Sequence, residues 1–163
     1  MTVMTGQEIS KENGLSTWKL LGLTIITGGV FFIYWMKKMT ELVEAFSGKR
    51  VWEDNIFIIY LFVWTWLSLF PDSYDPDGVT VLLLFVFWLC MWIQWSFSMR
   101  REITLYAITK LGMSEYKMNA FYTFIFNVYY INYCLNDLGD EELRQRARED
   151  LRARQMKNSE LRS

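Results

Sequence analysis

Charge along this chain comes in blocks. Between the blocks run four stretches without a single Asp, Glu, Lys or Arg: residues 20–36, 55–71, 78–99 and 118–136. Each is close to the roughly 17 to 25 residues a helix needs to cross a hydrocarbon core of about 30 Å. One such run would read as a buried core helix. Four of them within 163 residues predict an all-α membrane protein.

The third run, 78–99, is the clearest. Trp88, Trp92 and Trp95 cluster toward one end, and it stops at Arg100-Arg101. Aromatic rings at headgroup level followed by cations mark a cytoplasmic exit. The second run ends at Pro71, which cannot continue a helix interior. Between the two lies PDSYDPDG, a turn composition with acidic residues and no cation. The expectation is a central transmembrane hairpin whose tip, residues 71–78, faces away from the cytoplasm.

The outer two runs admit two arrangements. Of the 17 Lys and Arg, four full spans would place 8 on one side of the membrane and 9 on the other. If only the central hairpin crosses, all 17 share one side, as the positive-inside rule prefers. Local chemistry points the same way. Gly28-Gly29 interrupts the first run, where a helix breaks or kinks most easily. The fourth carries Asn119, Asn127, Asn132 and Asn136, whose amides are costly in hydrocarbon unless bonded. Both outer runs are therefore expected as re-entrant or in-plane helices, with full spans as the alternative. They also echo each other: GVFFIYW from Gly29 matches NVYYINY from Asn127 at an offset of 98 residues.

Composition adds limits. Aromatics reach 18 %, with 8 Trp and 12 Phe, more than a soluble core of this size readily covers. Residues 1–17 read as a polar leader, not as a signal peptide, and 18–138 as the membrane domain. Residues 139–163 read as a charged cytoplasmic helix with Leu143, Ala147 and Leu151 on a narrow apolar seam. Glu142 with Arg146 and Asp150 with Arg154 have favourable i,i+4 spacing. Cys90 and Cys134, both in apolar runs, are expected to be small buried side chains. A net charge of −1 without a basic aromatic stripe gives no case for nucleic acid.

The segment TWKLLGLTIITGGVFFIYWMKKMTEL carries a further signal. Trp18-Lys19, Thr27-Gly28, Ile33-Tyr34-Trp35 and the charged stretch 37–41 resemble the opening of an uncharacterised bacterial family of small multi-pass membrane proteins. The likeness covers about 25 residues. Residues 130–136 are similar to a later Tyr-x-x-Asn-like ending of that family. Gly28-Gly29-Val30-Phe31 departs from the family's Gly-Ile-Tyr. The resemblance implies a helical protein of the bacterial cytoplasmic (inner) membrane and brings no catalytic residues.

Histidine is absent, which removes the commonest general base and metal ligand. No phosphate loop occurs, and Asp72, Asp75, Asp77 and Gly78 lack the spacing of a calcium loop. No cofactor or metal is expected. Glu53 and Asp54, at the mouth of the second run, are functional candidates by default, or else partners for headgroups, Lys49 and Arg50. Gln94 either bonds Thr65 or Ser68 across the hairpin or lines a pore. Asn127 and Asn132 are candidate polar contacts within the membrane, and Gly28-Gly29 the candidate helix break. The expected function is non-enzymatic: a multi-pass protein binding the lipid bilayer and another membrane protein or itself, in an accessory, assembly or immunity-like role. The alternative is a small homo-oligomeric channel or transporter.

Overall fold

A computed structural model describes residues 3–53, 56–59, 62 and 78–160. Among these the chain is helical, with no strand. The elements are α1 (Gly6–Asn13), α2 (Thr17–Ile26), α3 (Val30–Ser47), α4 (Gly78–Thr109) and α5 (Ala120–Glu160). Asp54, Thr65, Ser68, the turn at 71–77 and most of the second apolar run lie outside the described residues.

The leader folds. Thr5 caps α1, accepting from the Glu8 N–H while the Glu8 carboxylate accepts from the Thr5 N–H at 2.7 Å. The short helix then lies antiparallel on α5. The Gly6 N–H donates to the Glu142 carboxylate at 2.7 Å, and the Ser10 hydroxyl donates to the Asn136 carbonyl at 2.8 Å. The two backbones touch here: a Cβ on Gly139 would stand 2.9 Å from the Gln7 Cα.

α2 and α3 form a helix–break–helix unit. Gly28 and Gly29 both take positive φ, 58° and 91°, values that cost a residue with a side chain ~1–2 kcal/mol. The Gly29 N–H donates back to the Thr24 carbonyl at 2.8 Å, so the break satisfies its own backbone.

α3 and α4 run parallel with a constant register. Phe32 meets Trp92, Trp35 meets Trp95 and Phe46 meets Tyr106, with ring centroids 5.4, 6.3 and 4.5 Å apart. Each pair differs by 60 in number, as two helices in lockstep require. The Trp95 indole N–H donates to the buried Thr40 hydroxyl at 2.9 Å.

α5 is two helices in one run. Asn127 sits at φ 46°, ψ −117°, inside otherwise helical backbone. The Asn119 N–H donates to the Tyr130 hydroxyl at 2.9 Å. Along a straight helix those residues would be about 16 Å apart, beyond one tyrosine's reach. The chain therefore turns sharply at Asn127, and the arm 120–126 folds against 128–133.

The core joins α3, α4 and the second arm of α5 through Trp35, Met39, Phe46, Trp95, Ile103 and Ile131. Leu143 and Leu151 are exposed, and the buried face after residue 138 carries Glu142 and Gln145. The cause is what approaches that face: α1 brings a backbone N–H needing an acceptor, and the loop at 113–117 brings Ser114. One expectation needs correcting: Cys134 is buried but Cys90 is exposed, since at about 100° per residue it points away from the face on which Trp92 meets α3.

Candidate functional site

The two breaks meet. Gly29 at the first and residues 124–129 at the second line one cleft of about 400 Å³, closed on the α4 side by Leu89 and Trp92. Its walls are mostly apolar, with Thr24, Asn127 and Tyr129 as the polar residues among them. The Asn127 side-chain carbonyl accepts from the Ser96 hydroxyl of α4, which ties the second break to the long helix. A second cleft of about 470 Å³ opens nearby between Thr17, Tyr122, Phe126 and Tyr130. Tyr122 and Tyr130 meet edge-on at 5.8 Å across the turn.

Just away from the breaks lies a closed amide network. The Asn13 Nδ2 donates to the side-chain oxygens of Asn132 and Asn136, both at 2.9 Å. The Trp35 indole donates to the Asn13 Oδ1 at 3.2 Å. Asn132 donates in turn to the Thr17 hydroxyl, and Asn136 to the Leu15 carbonyl, each at 3.0 Å. Asn132 is 0 % exposed. Two buried amides, with the half-buried Asn136 beside them, are tolerable only because their hydrogen-bonding groups find partners. One residue of α1 thereby holds both helix–break–helix units.

Beyond the network the surface becomes ionic. The Arg100 guanidinium donates to the Met118 carbonyl at 2.9 Å and stands 5.8 Å from the Phe97 ring. Glu102, 3 % exposed, lies 3.9 Å from Lys49 and 2.9 Å from Arg101. The Tyr106 hydroxyl donates to the Met4 carbonyl and accepts the Met4 N–H, both at 2.8 Å. Burial pushes its pKa up, so it remains a donor at any ordinary pH. Asp137 is also pushed up by burial, against the pull of Arg144 at 3.7 Å.

The sequence-derived candidates divide accordingly. Gly28, Gly29 and Asn127 come together at the paired breaks. Asn132 belongs to the amide network, some way along the same helix. Glu53 is exposed and pairs with Arg50 at 3.3 Å, away from the cleft. Gln94 is exposed, and its suggested partners Thr65 and Ser68 lie outside the described residues. Sequence reading missed Asn13, Trp35, Thr40 and Ser96. The echo was the one available pointer, since its alignment sets Trp35 against Tyr133, next to Asn132. Among the described residues no group of His, Cys, Asp and Glu is placed to hold a metal.

Within α4 the side chains at 80, 81 and 84 fall outside the description, and among the described residues no helix is long and apolar enough to cross a membrane. Comparison with known proteins returns no matching family model, no matching curated protein and no matching solved structure.

Proposed function

We propose that this chain is a non-enzymatic protein of the bacterial inner membrane that works by binding other components of that membrane. One observation carries the reading: the exposed surface around the paired breaks is apolar and free of charge. Ile25 and Ile26 at the first break are 71 % and 82 % exposed. Phe121, Phe124, Ile125 and Phe126 are exposed at the second, and Val79, Leu82, Leu83, Phe85 and Phe87 along α4. Monomeric soluble proteins rarely leave so large a contiguous apolar patch in water. The described charges lie away from the breaks: on α1, at Lys19 near the start of α2, on the later parts of α3 and α4, in the loops at 49–53 and 110–117, and on α5 from Asp137 onward.

In this reading α4 crosses, α2–α3 and the start of α5 enter and leave by one face, and the ionic end faces the cytoplasm. The amide network then holds the re-entrant units in place, and the charged end of α5 is left for docking. Single-cysteine labelling from outside intact spheroplasts, in a background lacking Cys90 and Cys134, tests it. Labelling is expected at Ser73 and absent at Ser159 and Lys11. Labelling at Ser159 or Lys11 would overturn the arrangement. Purification at native expression in mild detergent is expected to retain a second membrane protein or a further copy of the chain; a bare monomer argues against a binding role.

A further inference from the structure

We propose that the protein is a one-leaflet wedge that curves the membrane it occupies, its lipid partner being the cytoplasmic leaflet. This rests on the membrane reading above and adds an activity to it. The argument is one of depth. The lockstep of α3 with α4 sets Gly29 level with Leu89, and both line the cleft. The second break reaches the same zone, since Asn127 lines that cleft and accepts from Ser96.

From Leu89 to Arg100 is eleven residues, about 16 Å of helix. α2, with 10 residues, spans about 15 Å, and the stretch from Val30 to Lys37 about 10 Å. Half of a hydrocarbon core of roughly 30 Å is about 15 Å. With Arg100 at the headgroups, the first break thus comes to rest near the bilayer midplane, and the second, bonded to Ser96 four residues from Arg100, lies on the cytoplasmic side of it.

Past that depth α4 continues for another eleven residues, Gly78 to Leu89, roughly 16 Å. There Leu82, Leu83, Phe85, Val86 and Phe87 are all exposed. At about 100° per residue those five positions cover about 200° of the helix circumference, and the remaining face carries Trp88 and the side chains at 80, 81 and 84, which lie outside the described residues. Five described helical segments fill the near half, α2, the start of α3, the second half of α4 and both arms of α5, and the short helical stretch 56–59 packs there too, against Ile33, Met36 and Trp92. In the far half α4 stands alone among the described residues. The 18 residues at 60–77 are too few to supply four further segments of ten there. A body with a broad cytoplasmic half and a narrow outer half spreads one leaflet more than the other, and the bilayer bends away from the broad side.

The full chain would be reconstituted into vesicles of phosphatidylethanolamine and phosphatidylglycerol, with vesicle diameters read by electron cryomicroscopy and protein density compared between small and large vesicles by flotation. The expected result is a smaller mean diameter with rising protein content and several-fold enrichment on small vesicles. The I25D/I26D double variant, changed at two exposed positions of the first break, should still float but lose most of that enrichment. Carbonate-resistant flotation without any size effect or enrichment would overturn the wedge and leave the membrane reading standing. Enrichment unchanged in the double variant would also overturn it, since curvature would not depend on the break's insertion. Failure to resist carbonate extraction would overturn both.

Discussion

The two helix breaks do the same job by different means. At Gly28-Gly29 the chain takes two positive-φ residues and closes the turn with its own backbone, Gly29 to Thr24 at 2.8 Å. At Asn127 a single residue with a side chain holds φ 46°, ψ −117°, and its amide is bonded to Ser96 on another helix. The first turn is intrinsic to its own segment. The second is held by a neighbour, with Asn119 capping the incoming arm by accepting from the Phe121 N–H at 2.8 Å. The echo aligns the two breaks residue for residue, Gly29 with Asn127, so the position of the turn is shared while its cause is not.

Asn13 offers the strongest test of this contrast, because it joins the two units. Replacing it with leucine would leave the Trp35 indole and the Asn132 and Asn136 oxygens short of a partner at depth. A loss of ~3 kcal/mol follows from several unmet buried groups. Equilibrium unfolding in mild detergent measures it. A loss below about 1 kcal/mol would mean that water replaces the amide and that the two units are not coupled through it.

The next effect separates the two turns. Asn127→Leu loses the Ser96 bond and keeps an unfavourable backbone, costing ~2–3 kcal/mol, whereas Asn127→Gly loses the bond alone and costs ~1 kcal/mol. Gly28→Ala meets nothing within 4 Å, so it should show only backbone strain, ~1–2 kcal/mol. Combining Ser96→Ala with Asn127→Gly in a double-mutant cycle should show coupling, while Ser96→Ala with Gly28→Ala should be additive. Additivity in both cycles would erase the distinction between a neighbour-held and a self-held turn.

The smallest effect is a pH dependence of α1. The Thr5 N–H and hydroxyl hold the Glu8 carboxyl below its usual range. A depressed folded pKa contributes stability that is present above the unfolded value and is lost as pH falls through the folded one. Hydrogen exchange at the first amides of α1 should therefore quicken in acid, relative to those of α2, once pH drops below the ordinary carboxylate range. Glu8→Gln should remove most of that difference. Equal acid response in the variant would assign the fraying to another group.

Some of this was legible in the residues and some was not. The four uncharged runs were visible because segregated charge needs no tertiary information. Gly28-Gly29 was visible for a local reason, since two residues without Cβ weaken a helix wherever they stand. The burial of Asn132 and the use of Asn13 were not, because the two lie 119 positions apart and meet only after α1 lies down on α5. The buried face of the last helix was hidden for a related reason. Leu143, Ala147 and Leu151 form a seam that stays exposed, and the face that α1 covers is chosen by the glycine contact at Gly139 and the acceptor at Glu142. Periodicity says that one face should be buried; the neighbour decides which.

By itself the sequence determined an all-helical chain, apolar stretches free of charge, an ionic end and a break at Gly28-Gly29. All of these follow from residue chemistry acting within a few positions. Tertiary structure alone decided the turn at Asn127, the closing of the amide network and the cleft that the two breaks share. An asparagine in a helical run is compatible with staying helical or turning. Only the Ser96 hydroxyl, brought from α4 by packing with α3, gives its amide a reason to turn.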